Sequence, residues 1–153
     1  MQIQPANGQL ELSGSIDETS GLLDLLGRAQ SNFLALDLAG ITFINSLGVR
    51  DWIRMQAAAT KSGIQIELRR AAEVIIHQLN MIIATRGTAR VTSFFAPYAC
   101  DACGREDSLL VDAVTHAAEL AKLQPPAMVC PECGSQMAFN DFPERYFSFL
   151  SPG

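Results

Sequence analysis

The chain has 153 residues, 48% hydrophobic and 18% charged. That suits one compact domain with a small appendage and excludes a disordered chain. Apolar stretches such as Phe33 to Leu36 are far too short to cross a bilayer, which excludes membrane insertion. The net charge of −5 is unevenly placed: residues 1–96 carry eight basic and eight acidic side chains, residues 97–153 three and eight.

Read in chain order, Asn7-Gly8 is a hairpin turn between Gln2-Ile3-Gln4 and the alternating Leu10-Glu11-Leu12. Asp17 to Arg28 reads as a helix with Leu22, Leu23, Leu25 and Leu26 on a broad apolar face. Phe33 to Leu38 is a nearly continuous apolar run, the pattern of a buried central strand, and Ala39 to Asn45 follows as a connection with some extended character. Ser46 to Ser62 is a helix with Val49, Ile53 and Ala57 at four-residue spacing, widened by Trp52 and Met55 and closed by Gly63. Ile64 to Leu68 alternates as a strand, Ala72 to Met81 is a further helix with Val74, Ile75, Leu79 and Ile82 inward, and Thr88 to Phe95 is a last strand. Alternation of this kind predicts an α/β fold with helices packed on a sheet. The charge split and the position of the cysteines put a domain boundary near Ala96-Pro97, dividing the chain into 1–96 and 97–153.

One junction carries more than fold information. A buried strand runs into a turn, and Asn45-Ser46-Leu47-Gly48 opens an amphipathic helix. Segment 34–50 resembles the STAS family, the domain of anti-sigma factor antagonists and of sulfate-transporter tails, whose signature after the central strand is Asp-Ser-x-Gly. The resemblance covers roughly residues 1–95. It implies a STAS-like sheet with packed helices and a regulatory protein-binding role in bacterial transcription signalling. It further implies a serine kinase or anti-sigma factor as partner, with Ser46 as phosphate acceptor and Asn45, Leu47 and Gly48 as contact residues. Asn45 stands where the family has Asp, which removes an acidic group beside the hydroxyl. A helix N-terminus is intrinsically suited to a phosphate, because unpaired N–H groups and the positive dipole end meet there. Asn and Ser are also the best N-cap residues, so capping alone and capping with phosphorylation both remain open readings. Gly48 is expected to leave room for a partner or a neighbouring helix.

The four cysteines form Cys100-x2-Cys103 and Cys130-x2-Cys133, each pair followed by glycine, Gly104 and Gly134. Two matched Cys-x-x-Cys-Gly turns predict one structural zinc held by Cys100, Cys103, Cys130 and Cys133, and the segment resembles a zinc ribbon. A redox dithiol, disulfides and an iron–sulfur cluster are the alternatives. Four thiolates leave no open position for zinc catalysis. The tail's three basic against eight acidic residues, with a dianionic zinc–thiolate centre among them, disfavour direct nucleic-acid binding.

His77 and His116 have no nucleophile beside them, and no catalytic constellation emerges, so the chain is expected not to be an enzyme. Residues 112–122 are expected to form a short helix. Phe142, Tyr146 and Phe149 share one face of a C-terminal helix, which packs on the protein itself or offers a partner patch. No basic region followed by an apolar run opens the sequence, so a cytoplasmic protein is expected. Two rival functions stand beside the regulatory one: a structural STAS subunit that assembles with itself as a homo-oligomer, and a STAS component of a lipid or small-molecule transport system.

Overall fold

A computed structural model describes residues 1–151. Five strands form the first sheet: β1 (Gln2–Ala6), β2 (Gln9–Ile16), β3 (Phe33–Ile44), β4 (Gln65–Arg69) and β5 (Arg90–Val91), adjacent in that order. The β1–β2 hairpin is antiparallel, and the remaining pairs are parallel. Parallel neighbours need crossovers. They are supplied by the segment 17–32, by α1 (Ser46–Lys61) and by the stretch holding α2 (Glu73–Met81). The protein is thus α/β with a mixed sheet. The hairpin turns as expected at Asn7-Gly8, where both residues have positive φ, 51° and 78°, the twist a two-residue turn requires.

Four expectations change. Only Leu22–Arg28 of the first proposed helix is helical, as a 3-10 segment with Leu22 and Leu25 inward and Leu23 exposed. β3 continues to Ile44 through the residues read as a connection. Gly40, within that stretch, lies where β3 crosses close to β2: a Cβ there would stand 2.7 Å from the Ser13 Cβ. The buried face of α1 is Gly48, Trp52, Met55, Gln56 and Ala59, about one residue around from the expected Val49, Ile53 and Ala57, and Ala57 is exposed. That face, about 100° around from the expected one, lets the Trp52 indole N–H donate to the Thr85 carbonyl at 2.8 Å. On α2, Ile76 replaces Val74 and Ile82 on the buried side, with Ile75 and Leu79 as expected.

The second sheet is built from β6 (Ser93–Ala99), β7 (Glu106–Asp112), β8 (Met128–Val129) and β9 (Gln136–Phe139), in the order β7-β6-β9-β8 and antiparallel throughout. Ala96-Pro97, where the sequence places a domain boundary, lies inside β6. Backbone bonds tie this strand to the end of β4: Ala71 N–H donates to the Ser93 carbonyl at 3.1 Å, and Phe95 N–H to the Ala71 carbonyl at 2.9 Å. Alternation along β6 buries Phe94, Ala96 and Tyr98 and leads to buried Cys100. Between β7 and β8 only Ala117–Ala121 is helical (α3), after a turn in which Asp112 accepts from the Val114 and Thr115 N–H groups.

The chain ends in α4 (Pro143–Tyr146) and a 3-10 turn over Phe147–Leu150. The expected aromatic face is partly corrected. Tyr146 and Phe149 are buried, Phe142 is 64% exposed, and Phe147 takes the inner place. Phe147 stacks on Phe139 with ring centroids 5.0 Å apart and meets Phe94 edge-on at 6.0 Å. The Tyr146 hydroxyl donates to the Phe95 carbonyl at 2.6 Å, and the Asn80 amide of α2 donates to the Tyr146 carbonyl at 2.9 Å. One contiguous apolar core therefore runs from Leu10 in the first sheet to Phe149 at the far end.

Candidate metal centre

β6 and β7 are joined by a tight turn over Cys100 to Arg105, and β8 and β9 by an equivalent turn over Cys130 to Ser135. In the first turn Cys100 N–H donates to the Arg105 carbonyl at 2.7 Å, and Gly104 N–H to the Cys100 carbonyl at 2.8 Å. The second repeats both bonds, from Cys130 to Ser135 at 2.8 Å and from Gly134 to Cys130 at 3.0 Å. Gly104 and Gly134 sit at φ 77° and 75°, a left-handed conformation that glycine adopts without steric cost. The spacing Cys-x-x-Cys-Gly is thus what this turn demands, and two copies of it face each other.

All four Sγ atoms lie within 4.8 Å of one another. Cys100 Sγ is 3.5 Å from Cys133 Sγ, and Cys103 Sγ is 3.6 Å from Cys130 Sγ. A tetrahedron of thiolates around one ion at the usual zinc–sulfur distance has edges of about 3.8 Å. The set therefore fits a single metal ion, and all four cysteines are free of disulfides. A multi-iron cluster would spread its thiolates further, since its own atoms would lie between them. Cys100 and Cys130 are buried, while Cys103 and Cys133 are exposed.

The turns also prepare thiolates. Hydrogen bonds from the Ser135 side chain and backbone N–H bring the Cys133 thiol down to about 6. The Arg105 backbone N–H favours the Cys103 thiolate in the same way, but desolvation and the other three sulfurs outweigh it and push Cys103 up to about 12. Four crowded sulfurs cannot all ionise without a cation among them. This is the chemistry of a site that takes a positive ion.

Three residues missed in the sequence surround the cluster. The Arg105 guanidinium holds Asp107 Oδ2 with Nε at 3.2 Å and Nη2 at 2.9 Å, and Glu132 Oε1 with Nη1 at 3.0 Å. A basic residue directly after Cys-x-x-Cys-Gly, in a segment with only three basic residues, was the available signal. His116 pairs with Glu119 at 3.1 Å and His77 meets the Tyr146 ring edge-on at 5.9 Å, and neither belongs to the cysteine cluster.

The Asn45–Gly48 junction lies on the other sheet, where β3 ends and α1 begins. Asn45 is the cap: its Oδ1 accepts from Gly48 N–H at 2.7 Å, and its Nδ2 donates to Glu18 Oε2 at 3.2 Å. A carboxylate therefore does stand at this helix start, contributed by the loop before Leu22 rather than by residue 45. Ser46 is the first helical residue and is exposed, as is Leu47. Gly48 is buried. A Cβ there would come within 2.6 Å of the Ile16 carbonyl oxygen, so the glycine lets α1 start directly against the end of β2.

Comparison with family models, with curated proteins and with solved structures finds no match to this chain. Among the described residues no helix is long and apolar enough to cross a membrane.

Proposed function

We propose that the chain is a non-enzymatic regulatory module of the anti-sigma factor antagonist type. It works in the cytoplasm by binding a protein partner through the start of α1, and it carries one structural zinc on Cys100, Cys103, Cys130 and Cys133. The observation that carries the regulatory reading is the placement of Ser46. It is an exposed serine at the first position of a 16-residue helix, at the carboxyl end of a parallel strand. Asn45 already satisfies the cap, so the Ser46 hydroxyl is left free of that duty. A phosphate there meets the positive end of the helix and changes the charge a partner encounters. Zinc is favoured for the cysteine site because a closed, four-thiolate tetrahedron is its usual structural setting.

The test is partner capture with wild type, Ser46→Asp and Ser46→Ala. Ser46→Asp is expected to weaken or redirect capture. Ser46→Ala holds the unmodified state and leaves the Asn45 cap in place. Leu47→Arg, on a side chain 41% exposed, probes the same surface without disturbing the packed Gly48. Equal capture of the same partners by all four proteins would remove both the switch and the site.

A further inference from the structure

The two cysteine turns are not equivalent in their surroundings. Position by position, Arg105 in the first corresponds to Ser135 in the second, Ala102 to Glu132, and Asp107 to Met137. The first turn thus has the cation and the second has the carboxylate that it reaches. Arg105 closes its own turn through its backbone, accepting from Cys100 N–H at 2.7 Å. With its side chain it crosses to Glu132, which lies between Cys130 and Cys133, at 3.0 Å. Asp107 on β7 holds the other edge of the guanidinium at 2.9 Å. A planar guanidinium can serve both carboxylates at once, whereas a lysine ammonium offers no such fork.

We propose that Arg105 is a positioning residue for the metal centre, a clamp that ties the two cysteine turns together and offsets the negative charge of the thiolate–metal unit. Three observations converge on it. Arg105 is the one basic residue in either turn. Its contacts span both turns, so it acts on the geometry that four ligands from two hairpins must reach together. Finally, four thiolates around a divalent ion leave two negative charges, and Asp107 and Glu132 bring two more. Removing the guanidinium would leave these groups facing one another uncompensated. Partners outside the ligand set commonly govern metal affinity in this manner. The inference rests on the metal reading above.

Arg105→Gln, Arg105→Lys, Glu132→Gln and the Arg105→Gln/Glu132→Gln pair separate the possibilities, with zinc affinity measured by competition against a chromophoric chelator. Arg105→Gln is expected to lose roughly two- to fivefold in affinity, the range of partly exposed ion pairs, and Arg105→Lys to recover part of it. The double variant should lose less than the product of the single losses, because both break one contact. The charge-transfer and d–d bands of the cobalt-substituted proteins should remain those of a four-thiolate tetrahedron in every variant, which shows that the ligand set is intact. Wild-type affinity in Arg105→Gln, or strictly multiplicative losses in the pair, would overturn the clamp and leave the metal site standing. Failure of the wild type to bind zinc would overturn the site and the clamp together. Glu132 is exposed, so Glu132→Gln keeps the bridge testable if Arg105→Gln folds poorly.

Discussion

The two sheets are built by different means. The first buries rows of Leu and Ile on β2, β3 and β4 beneath α1 and α2, with Ile16, Leu36, Leu38 and Leu68 among its fully covered residues. Its strands are long enough to hold that core by burial alone, at about 25 cal/mol for each Å² of apolar surface. The second is a four-stranded antiparallel sheet, and its own core is little more than Tyr98, Val111, Leu120 and Met137. A unit of that size ordinarily needs a metal, a disulfide or a neighbour to stay folded. Here it has two such supports: four cysteines arranged for one ion, and the aromatic seat of Tyr146, Phe147 and Phe149 against Phe94 and α2. Apolar patterning alone builds one region, and the other is completed by chemistry at its tips and by leaning on the first.

Withdrawing the ion should break this comparison most severely. Structural zinc sites couple on the order of 10 kcal/mol of binding to folding. Chelation, or Cys130→Ser, is expected to strip amide protection from β6 to β9 in hydrogen-exchange measurements while β2, β3, β4 and α1 stay protected. Because Asn80 of α2 donates to the Tyr146 carbonyl in the C-terminal segment, α2 should lose part of its protection too. Uniform loss across both sheets would show that the chain has no division of this kind.

Phe147→Ala attacks the second support. The side chain is 1% exposed, and truncating a buried phenylalanine costs about 3–5 kcal/mol. The account expects a fall in thermal midpoint together with readier metal release, since the seat and the centre hold the same strands. Gly48→Ala attacks the first region instead. The methyl group would press on the Ile16 carbonyl, and overpacking of this kind costs about 1–3 kcal/mol. Denaturant unfolding should report that loss with metal release unchanged.

The smallest effect concerns pH. Asp112 accepts from the Thr115 and Val114 backbone N–H groups, which hold its carboxyl below the ordinary 3.8. A folded-state value below the unfolded one means that its contribution is present above about pH 3.8 and lost as pH falls through the lower folded value. Asp112→Asn should therefore flatten a shallow part of the acid limb in thermal midpoints taken between neutral and strongly acidic pH, without moving the neutral plateau.

The parts of the molecule that were legible in sequence are those governed by neighbours along the chain. Asn7-Gly8 makes its hairpin. Gly63 ends α1 with the N–H of Ile64 reaching back to the Ala59 carbonyl at 2.8 Å. The spacing of the four cysteines predicted their meeting. What escaped was decided by residues far apart. Ala39 to Ile44 reads as a connection until its pairing with β2, Ser13 against Gly40, is seen. The inner face of α1 is set by Trp52 reaching Thr85, not by the regular spacing of Val49, Ile53 and Ala57. Phe142 and Phe147 exchange roles because the chain turns at Pro143 and continues as a 3-10 segment, which shifts the side-chain period. Ala96-Pro97, marked in the sequence by the charge split and the position of the cysteines, lies in a strand held by the alternation of Phe94, Ala96 and Tyr98 inside. Arg105 was visible as a residue but not as a bridge, because Glu132 lies on the opposite turn.

The proposed division between a sheet held by its own core and one completed by a metal is tested most directly by metal content. Protein purified without added metal or chelator should contain one zinc per chain by elemental analysis, lost in parallel with the folding of the second sheet when Cys100, Cys103, Cys130 or Cys133 is replaced by serine. Protein that is fully folded in both sheets and carries neither zinc nor iron would contradict the account.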